Sequence, residues 1–394
     1  MKEVVIAGAA RTSMGGFQGD FDGTEASVLG GAAIRAALTD AGTDSEAARV
    51  EEVLIGCVLP AGQGQAPARQ AGFAAGLGAE VPATTLNKMC GSGMKATMIG
   101  YDQIALGHTG MMIAGGMESM SNAPYLLPKM RGGARIGHAE VKDHMFLDGL
   151  EDAYDKGRLM GSFAEDCAEH FQFTRAAQDA YAIGSLEGAL AAQKSGAFAR
   201  EIAPVTISTR QGDVVIGVDE QPAKARPEKI PLLKPAFRKD GTVTAANSSS
   251  ISDGAAALVL ASAEAAEAQG LRARARIMGH ASHAQAPGWF TTAPIPAAQK
   301  LLDRIGWNTG DVDLWEINEA FAVVPMAFMR EMGLPRDIVN VNGGACALGH
   351  PIGASGARII VTLLNALEHH GLKRGIAAIC IGGGEATAIA IERV

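Results

Sequence analysis

The residue best suited to do chemistry in this sequence is Cys90, which lies in the motif N-K-M-C-G-S-G at 87–93. Gly91 and Gly93 predict a turn that opens a helix and lets a substrate approach the backbone closely. A thiol at a helix N-terminus is expected to have a lowered pKa, because the helix dipole and nearby N–H groups favour the thiolate. The alternative role is a small buried hydrophobic residue, which is common for a free cysteine. The motif therefore makes Cys90 a candidate nucleophile.

The candidate base is His350, within N-G-G-A-C-A-L-G-H-P-I-G-A-S-G-A-R at 342–358. Pro351 disfavours helix at the preceding residue, so the imidazole is predicted on a loop just ahead of a helix. A neutral imidazole there can take the proton of a thiol, whereas the alternative is a histidine held by turn hydrogen bonds. Cys346 and His350 could make half of a metal site, but no second ligand pair occurs at zinc spacing. We therefore predict no metal.

Two further polar residues close predicted strands. Cys380 ends I-A-A-I-C-I ahead of the glycines at 382–384, whose N–H groups could serve an oxyanion; the alternative is a core cysteine. Asn318 ends V-D-L-W-E-I-N and either holds a water or carbonyl oxygen or caps the next helix. Glu319 is expected to serve only capping electrostatics in that helix. Together with Cys90 and a histidine base, these groups suit acyl transfer onto cysteine with carbon–carbon bond chemistry.

Alternating β-branched and Ala-rich segments predict the elements that position these residues. Three buried strands alternate with helices early in the chain, which predicts βαβ units around a mainly parallel sheet. The strands lie near 4–8, 53–59 and 110–116, and the helices near 24–41, 65–77 and 91–107. The rhythm returns later, with strands near 255–261, 275–279, 312–318 and 376–381 and helices near 296–306, 320–332 and 354–370. Both parts end in a strand and a glycine turn, which suggests an internal duplication.

A polar stretch punctuated by Pro and Gly separates these two parts of an α/β protein. It covers 121–247, includes an Ala-rich helical stretch near 174–194, and predicts an inserted domain rich in loops. We accordingly predict an N-terminal half at 1–120, completed by about 245–270, and a C-terminal half at 271–394.

The composition excludes several classes of protein. Of 394 residues, 47% are hydrophobic and 19% charged, which favours a large core over disorder. The net charge of −8 leaves no basic stripe, so no nucleic-acid partner is predicted. No apolar run approaches the roughly 18 residues of a membrane span, and no G-x-G-x-x-G indicates a dinucleotide enzyme. Five scattered cysteines without C-x-x-C predict a reducing, cytoplasmic compartment.

The motifs, taken in order over essentially the whole chain, resemble the thiolase family. The resemblance rests on N-K-M-C-G-S-G-M-K-A, G-G-M-E-S-M-S (115–121), N-E-A-F-A (318–322), G-G-A-C-A-L-G-H-P-I-G-A-S-G-A-R (343–358) and C-I-G-G-G (380–384). It implies the thiolase fold, with two duplicated βαβαβαββ halves in five αβαβα layers and a loop domain inserted from the first half.

The resemblance also implies a role for each catalytic candidate. Cys90 would carry the acyl thioester, and His350 would take its proton. Cys380 would remove a proton from the second acyl-CoA. Asn318 would hold a water that forms one oxyanion hole with the ring N–H of His350. The backbone N–H groups of Cys90 and Gly382 would form the other.

Substrate contacts follow from the same resemblance. Ser249 falls where family members contact the pantetheine arm, and Ala245 is a second candidate contact. Met160 and Phe321 fall on walls of the acyl pocket. The candidates near the CoA adenine and phosphate are Lys224, Arg226 and Lys229.

The expected reaction is the reversible ping-pong Claisen condensation of two acetyl-CoA to acetoacetyl-CoA and CoA, with no cofactor besides these substrates. Leu159 stands where short-chain members often carry histidine, and Ser250 replaces a common glycine. These departures leave thiolysis of medium-chain 3-ketoacyl-CoA as the alternative. The family also implies a homotetramer, formed through a loop near 121–145.

Three other classes of protein are weighed against this function. A 3-ketoacyl synthase shares the cysteine chemistry, but Cys380 and the N-E-A-F motif disfavour it. A non-catalytic acyl-CoA-binding protein would bind CoA without condensation or thiolysis. A cysteine hydrolase would instead release free acid from acyl-CoA.

Overall fold

The computed structural model describes residues 1–210 and 212–394. Its first part alternates buried strands with Ala- and Gly-rich helices. Close packing explains the small residues: a Cβ on Gly31 would lie 2.6 Å from the Ala74 Cβ of the next helix. The elements are β1 (Val4–Thr12), α1 (Ala26–Asp40), β2 (Glu52–Gly56), α2 (Pro67–Ala74), β3 (Ala83–Leu86), α3 (Ser92–Ala105) and β4 (Met111–Ser119).

The inserted region contains more regular structure than the sequence predicts. The helix expected near 174–194 is present, but two further helices and a β-hairpin were missed among the polar residues. The elements are α4 (Met160–His170), α5 (Arg175–Ser195), β5 (Val205–Thr209), β6 (Gly212–Ile216) and α6 (Glu220–Lys224). Thr174 caps α5 by accepting a hydrogen bond from the N–H of Ala177.

The C-terminal part repeats the α/β alternation, and its predicted strands and helices are confirmed. The elements are β7 (Ser252–Ser262), α7 (Ala263–Ala268), β8 (Ala275–Ala284), α8 (Pro294–Ile305), β9 (Leu314–Ile317), α9 (Val323–Met332), α10 (Ala345–Leu348), α11 (Ile352–His369), β10 (Arg374–Ile381) and β11 (Glu385–Arg393).

Shorter elements fill the connections. Two-residue strands occur at Gly15–Gly16, Tyr125–Leu126, Lys142–Asp143 and Ile202–Ala203. Single 3₁₀ or π turns occur at Met130–Gly132, Phe146–Leu150, Pro227–Leu232, Pro287–Thr292, Thr309–Asp311 and Arg336–Ile338. None of the helices in the described ranges is long and apolar enough to cross a membrane.

The large sheet is mixed, so the prediction of a mainly parallel sheet was wrong. Its strand order is β9-β10-β11-β8-β1-β7-β4-β2-β3. The pairs β2–β3, β2–β4 and β9–β10 are parallel, whereas the pairs between β4 and β10 along this order are antiparallel. The reason is that the last two strands of each half pair antiparallel with each other, β4 with β7 and β10 with β11. The short turn between β10 and β11 permits only antiparallel pairing.

The halves repeat each other in detail. The order β3-β2-β4-β7-β1 of the first half matches β9-β10-β11-β8 of the second, where a lone bridge from Trp315 to Val339 stands in place of β3. Matching register shifts fall between Ile6 and Gly8 in β1 and between Ile277 and Gly279 in β8. The predicted duplication is therefore confirmed.

The two halves of the sheet form two of five layers, and three large hydrophobic cores fill the spaces between the layers. Helices α1 and α2 cover the outer face of the first half of the sheet, and α8 and α9 cover the outer face of the second half. Helices α3 and α11 lie side by side in the central layer, where one core joins them to both halves of the sheet. Their contact is close, since a Cβ on Gly356 of α11 would lie 2.5 Å from the Met94 nitrogen of α3. The central layer therefore brings the starts of α3 and α11 together.

Candidate active site

Cys90 lies in a tight turn two residues before α3. Met89 adopts a left-handed φ of +48°, which is costly for a side chain that is not glycine. Polar neighbours hold this turn: the Asn87 side chain accepts from the Met89 N–H at 2.9 Å. Ser92 Oγ accepts from the Lys88 N–H at 2.8 Å and donates to the Met89 carbonyl at 2.6 Å. The sequence around Cys90 thus builds the turn that presents the thiol.

The thiol of Cys90 is not the low-pKa group expected from a helix terminus. Burial raises its pKa to about 11, although the N–H groups of Gly382 and of Cys90 itself oppose the rise. Burial disfavours the thiolate more than these dipoles favour it. The expectation of a lowered pKa was therefore wrong, and Cys90 is a neutral thiol that needs a base.

His350 supplies a neutral base two residues before α11. The Ser355 hydroxyl donates to the Pro351 carbonyl at 2.9 Å, so its oxygen accepts from His350 Nδ1 at 2.6 Å. This bond assigns the ring proton to Nδ1 and leaves Nε2 as an acceptor, which has no hydrogen-bond partner in the described residues. Burial, and next the charge of Arg358, lower the imidazole pKa to about 3. The ring is therefore neutral and able to take a proton at Nε2.

Asn318 follows β9 and is fully buried. Its backbone N–H donates to the Ala378 carbonyl at 3.0 Å, yet neither amide atom of its side chain has a partner in the described residues. Because α9 begins only at Val323, the helix-capping alternative was wrong. A buried amide without a protein partner is suited to hold a water or a substrate oxygen.

Cys380 lies near the end of β10, two residues beyond Ala378, whose carbonyl accepts from the Asn318 N–H. Burial, and next the neighbouring Cys90, raise its pKa well above the usual value. The strand end sits over the start of α3, since a Cβ on Gly91 would lie 2.3 Å from Ile381 Cδ1. The Cys380 thiol is therefore close enough to Cys90 for a charge on Cys90 to raise the pKa of Cys380.

The starts of the two central helices complete the cluster. A Cβ on Gly93 of α3 would lie 2.8 Å from the Ala357 nitrogen and 3.1 Å from the Gly353 carbonyl of α11. Cys90 and His350 each precede one of these helices by two residues. The Cys90 thiol and the His350 imidazole are therefore brought to the same end of the central layer, and the strand end that carries Cys380 lies over the start of α3. Within the described ranges, no three His, Cys, Asp or Glu side chains cluster as metal ligands.

Comparison with known proteins decides the family. Family models of the thiolase N-terminal domain and the thiolase C-terminal domain match residues 4–264 and 271–393. The chain belongs to the thiolase family. Acetyl-CoA acetyltransferase of Pseudomonas aeruginosa is 48% identical over 395 residues, with 100% of both chains covered.

Solved thiolases share the whole architecture. The Bacillus anthracis acetyl-CoA acetyltransferase has a TM-score of 0.96 at 41% identity, covering 100% of this chain and 99% of that one. Acat5 thiolase from Ascaris suum, in complex with coenzyme A, has a TM-score of 0.93 at 43% identity with 100% of both chains covered. The predicted thiolase fold is therefore confirmed.

A cavity of about 290 Å³ opens beside the segment that leads to His350 in this thiolase. It is lined by Ala245, a predicted substrate contact, by Ser250, which replaces a glycine common in the family, and by the first turn of α10. Three cationic side chains also line it, namely Lys224, Arg226 and Lys229. Ser249 lies next to this lining, with its N–H and its hydroxyl both directed at the Ala320 carbonyl at 3.0 Å. The cavity combines an apolar wall with positive charge.

Aromatic rings form a wall on the other side of the thiolase site. Phe321 is buried, with its ring centroid 5.9 Å from Phe237 and 6.4 Å from Phe290. Met160, at the start of α4, reaches the glycine turn: its Sδ lies 3.6 Å from the position of a Cβ on Gly382. Met160 thus lies at the glycine turn that faces Cys90, and Phe321 packs against the rings of Phe237 and Phe290.

Sequence reasoning missed two buried carboxylates in this thiolase. Glu118, at the end of β4, accepts from the N–H groups of Val58, Leu59 and Gly353 at 2.9–3.1 Å, and burial raises its pKa to about 7. It fixes the start of α11. Glu319 is not in a helical turn but fully buried, so the capping role was wrong. An acidic residue at the end of an apolar strand was the available indication in both cases.

Proposed function

We propose that this thiolase is an acetyl-CoA acetyltransferase that reversibly condenses two acetyl-CoA into acetoacetyl-CoA and CoA. The observation that supports it most is geometric: the buried thiol Cys90 and the buried imidazole His350, whose Nε2 has no partner, each precede by two residues one of two helices whose starts pack against each other. Full-length relatives named acetyl-CoA acetyltransferase support the choice of substrate. The proposal needs no metal, nicotinamide or flavin, since acid–base and oxyanion groups suffice.

The first half-reaction acylates Cys90. Its Sγ attacks the thioester carbonyl of acetyl-CoA while His350 Nε2 takes the thiol proton. Since burial keeps both groups neutral beforehand, the proton moves as the new bond forms. The N–H groups of Cys90 and Gly382, which reach the sulfur, stabilise the negative oxygen. CoA leaves with the proton from His350, and the acetyl group remains on Cys90.

The second half-reaction makes the carbon–carbon bond. Burial also keeps the Cys380 thiol neutral, so Cys380 first gives its proton to His350 Nε2. The resulting Cys380 thiolate takes a proton from the methyl group of a second acetyl-CoA. The carbanion attacks the acetyl carbonyl, the bond to the Cys90 sulfur breaks, and the Cys90 thiolate takes the proton from His350. Both cysteines therefore end the cycle as thiols, as they began it.

The enolate oxygen of the second acetyl-CoA needs donors of its own. The unpartnered amide of Asn318 is suited to hold a water there. The Ser355 bond fixes the resting proton of His350 on Nδ1, so an N–H at Nε2 exists only while His350 holds a proton taken from a thiol. The Asn318-bound water is therefore the constant donor of this oxyanion hole.

CoA binding is assigned to the 290 Å³ cavity. Its cationic side chains suit the CoA phosphates and its apolar wall suits the pantetheine arm. The three cations are not equivalent, since Lys224 is already paired with Glu220. Arg226 and Lys229 are therefore the first candidates for phosphate contact, and Ala245 and Ser249 flank the arm.

The decisive test of this function is CoA-dependent thiolysis of acetoacetyl-CoA against a 3-ketoacyl-CoA of about eight carbons. We expect kcat/KM to favour acetoacetyl-CoA by about tenfold or more, because the wall of Phe321, Phe237 and Met160 closes the acyl pocket. Equal or better cleavage of the longer substrate would instead identify a broad-specificity ketothiolase.

Two further outcomes separate the other classes of protein. Release of free acid from acetyl-CoA without transfer to an acceptor would identify a cysteine hydrolase. Binding of CoA with no thiolysis or condensation would identify a binding protein on a thiolase fold.

We also propose a homotetramer. The loop near 121–145 exposes apolar side chains that favour association, with Ile136 95%, Tyr125 68% and Leu127 54% exposed. Light scattering is expected to give about four times the chain mass of 40.5 kDa, and the substitution Ile136→Asp is expected to lower it to that of a dimer. An unchanged mass in that variant would contradict an interface at this loop. A cytoplasmic compartment, which cell fractionation would check, is supported by the five free cysteines.

A further inference from the structure

A buried carboxylate that takes no part in the proposed steps joins three regions of the chain beside the active site. Glu319 Oε1 accepts from the Tyr181 hydroxyl and from Asn340 Nδ2, each at 2.9 Å. Its Oε2 accepts from the Ser185 hydroxyl at 2.7 Å and from the Cys346 N–H at 3.0 Å. Helix α5, the segment before α10 and the end of β9 therefore meet at one side chain.

The segment before α10 is pressed tightly against this carboxylate. A Cβ on Gly344 would lie 2.4 Å from Glu319 Cδ, so only glycine fits there. The Gly344 N–H donates to Ser185 Oγ at 2.9 Å, and that hydroxyl in turn donates to Glu319. The Cys346 thiol donates to the Glu319 carbonyl at 3.7 Å. Backbone and side chain of Glu319 thus both hold the first turn of α10.

Each end of this hydrogen-bonded connection is close in sequence to a proposed catalytic residue. Glu319 directly follows Asn318, and Cys346 lies four residues before His350. We propose that Glu319 is a positioning residue, which holds the segment leading to His350 in register with the strand end that carries Asn318. It acts through these neighbours and touches neither substrate nor reacting atoms. The inference rests on the proposed function, because it concerns the geometry of that reaction.

The four hydrogen-bond donors around the Glu319 side chain explain why a carboxylate is required at this position. The Cys346 N–H and the Asn340 amide can only donate toward Glu319, whereas the hydroxyls of Tyr181 and Ser185 can turn. A glutamine has one acceptor oxygen and one NH₂ group, which would face a fixed donor. Glu319→Gln therefore loses at least one buried bond without changing the size of the side chain.

The test is Glu319→Gln, measured by thiolysis of acetoacetyl-CoA after counting active sites by alkylation of Cys90. We expect kcat per active site to fall by about 10- to 100-fold, because small displacements of catalytic groups are costly. KM is expected to stay within about threefold, since no CoA contact is removed. A loss of folded enzyme alone would not produce this split between kcat and KM.

The matched control is Asp40→Asn, the corresponding acid-to-amide change at a partly buried ion pair outside the site. Asp40 accepts from the Ala9 N–H at 2.9 Å and pairs with Arg274. This variant is expected to lower the melting temperature while kcat stays within about twofold. Should Glu319→Gln fail to fold, Ser185→Ala removes bonds to Glu319 and Gly344 and is expected to lower kcat by about three- to tenfold.

The outcomes separate this inference from the proposed function. An unchanged kcat per site in both Glu319→Gln and Ser185→Ala overturns the positioning role, as does a rise in KM with kcat unchanged. If the wild type cleaves no 3-ketoacyl-CoA, the proposed function fails and the inference falls with it.

Discussion

Replacing Cys90 by alanine is expected to abolish both thiolysis and condensation, with kcat falling by at least about 10⁴-fold. The reason is that the acyl group has no other acceptor, and losing the nucleophile removes both half-reactions together. The fold is expected to survive, since the turn at Met89 is held by Asn87 and Ser92 and not by the thiol. The measurement is acetoacetyl-CoA thiolysis, with mass spectrometry for the acetyl-enzyme.

The control for this prediction is Cys167→Ala, which also removes a buried thiol. Cys167 lies in α4 and packs in the outer core of the second half. We expect its kcat to stay within about threefold, because it takes no part in acyl transfer. Activity that persisted in Cys90→Ala, or an acetyl group found on another residue, would contradict the mechanism.

Replacing Cys380 by alanine is expected to separate the two half-reactions. Thiolysis and condensation should fall by about 10³- to 10⁴-fold, the usual scale for loss of a general acid–base group. Acylation of Cys90 should persist, because its proton goes to His350. Exchange of labelled CoA with acetyl-CoA, which needs only the first half-reaction, is therefore expected to stay within about fivefold of wild type.

The exchange measurement also distinguishes a chemical role from a structural one. If Cys380→Ala lowers exchange and thiolysis in parallel, the residue supports Cys90 and does not move the methyl proton. Cys380→Ser offers a smaller perturbation of the buried strand end, and it should show the same separation, since an alcohol is far less acidic than a thiol.

Local pattern was sufficient to predict most elements of the fold. Strand β10 and helix α11 lie within a few residues of their predicted bounds. The reason is that apolar periodicity and glycine turns can be recognised from residues that are close together in the sequence. The direction in which two strands pair cannot be predicted from neighbouring residues. The antiparallel pairing of β10 with β11 depends on which strands meet in the folded chain, which explains why a mainly parallel sheet was wrongly expected.

Sequence motifs alone name the candidate site residues at positions 90, 318, 350 and 380, but they do not give the electrostatics of these residues. The pKa of Cys90 depends on how deeply the folded chain buries its thiol. Glu319 was misjudged for a related reason. Its partner Tyr181 is 138 residues away in sequence, so nothing near Glu319 indicated a buried hydrogen-bond centre.

The duplication described above has a chemical consequence. Gly56 ends β2 opposite Gly116, as Ile317 ends β9 opposite Ala378. Counting onward from these ends pairs Cys57 with Asn318 and Glu118 with Cys380. Cys90 and His350 are equivalent because each precedes one of the two central helices by two residues.

The site therefore straddles a pseudo-twofold axis between the starts of α3 and α11. Two identical chains around such an axis would place a thiol against a thiol, or an imidazole against an imidazole. Joining the copies in one polypeptide lets each position diverge, so that a nucleophile can face its base. A single chain with two similar halves can therefore carry different residues at equivalent positions. Such a chain holds one asymmetric site between its halves.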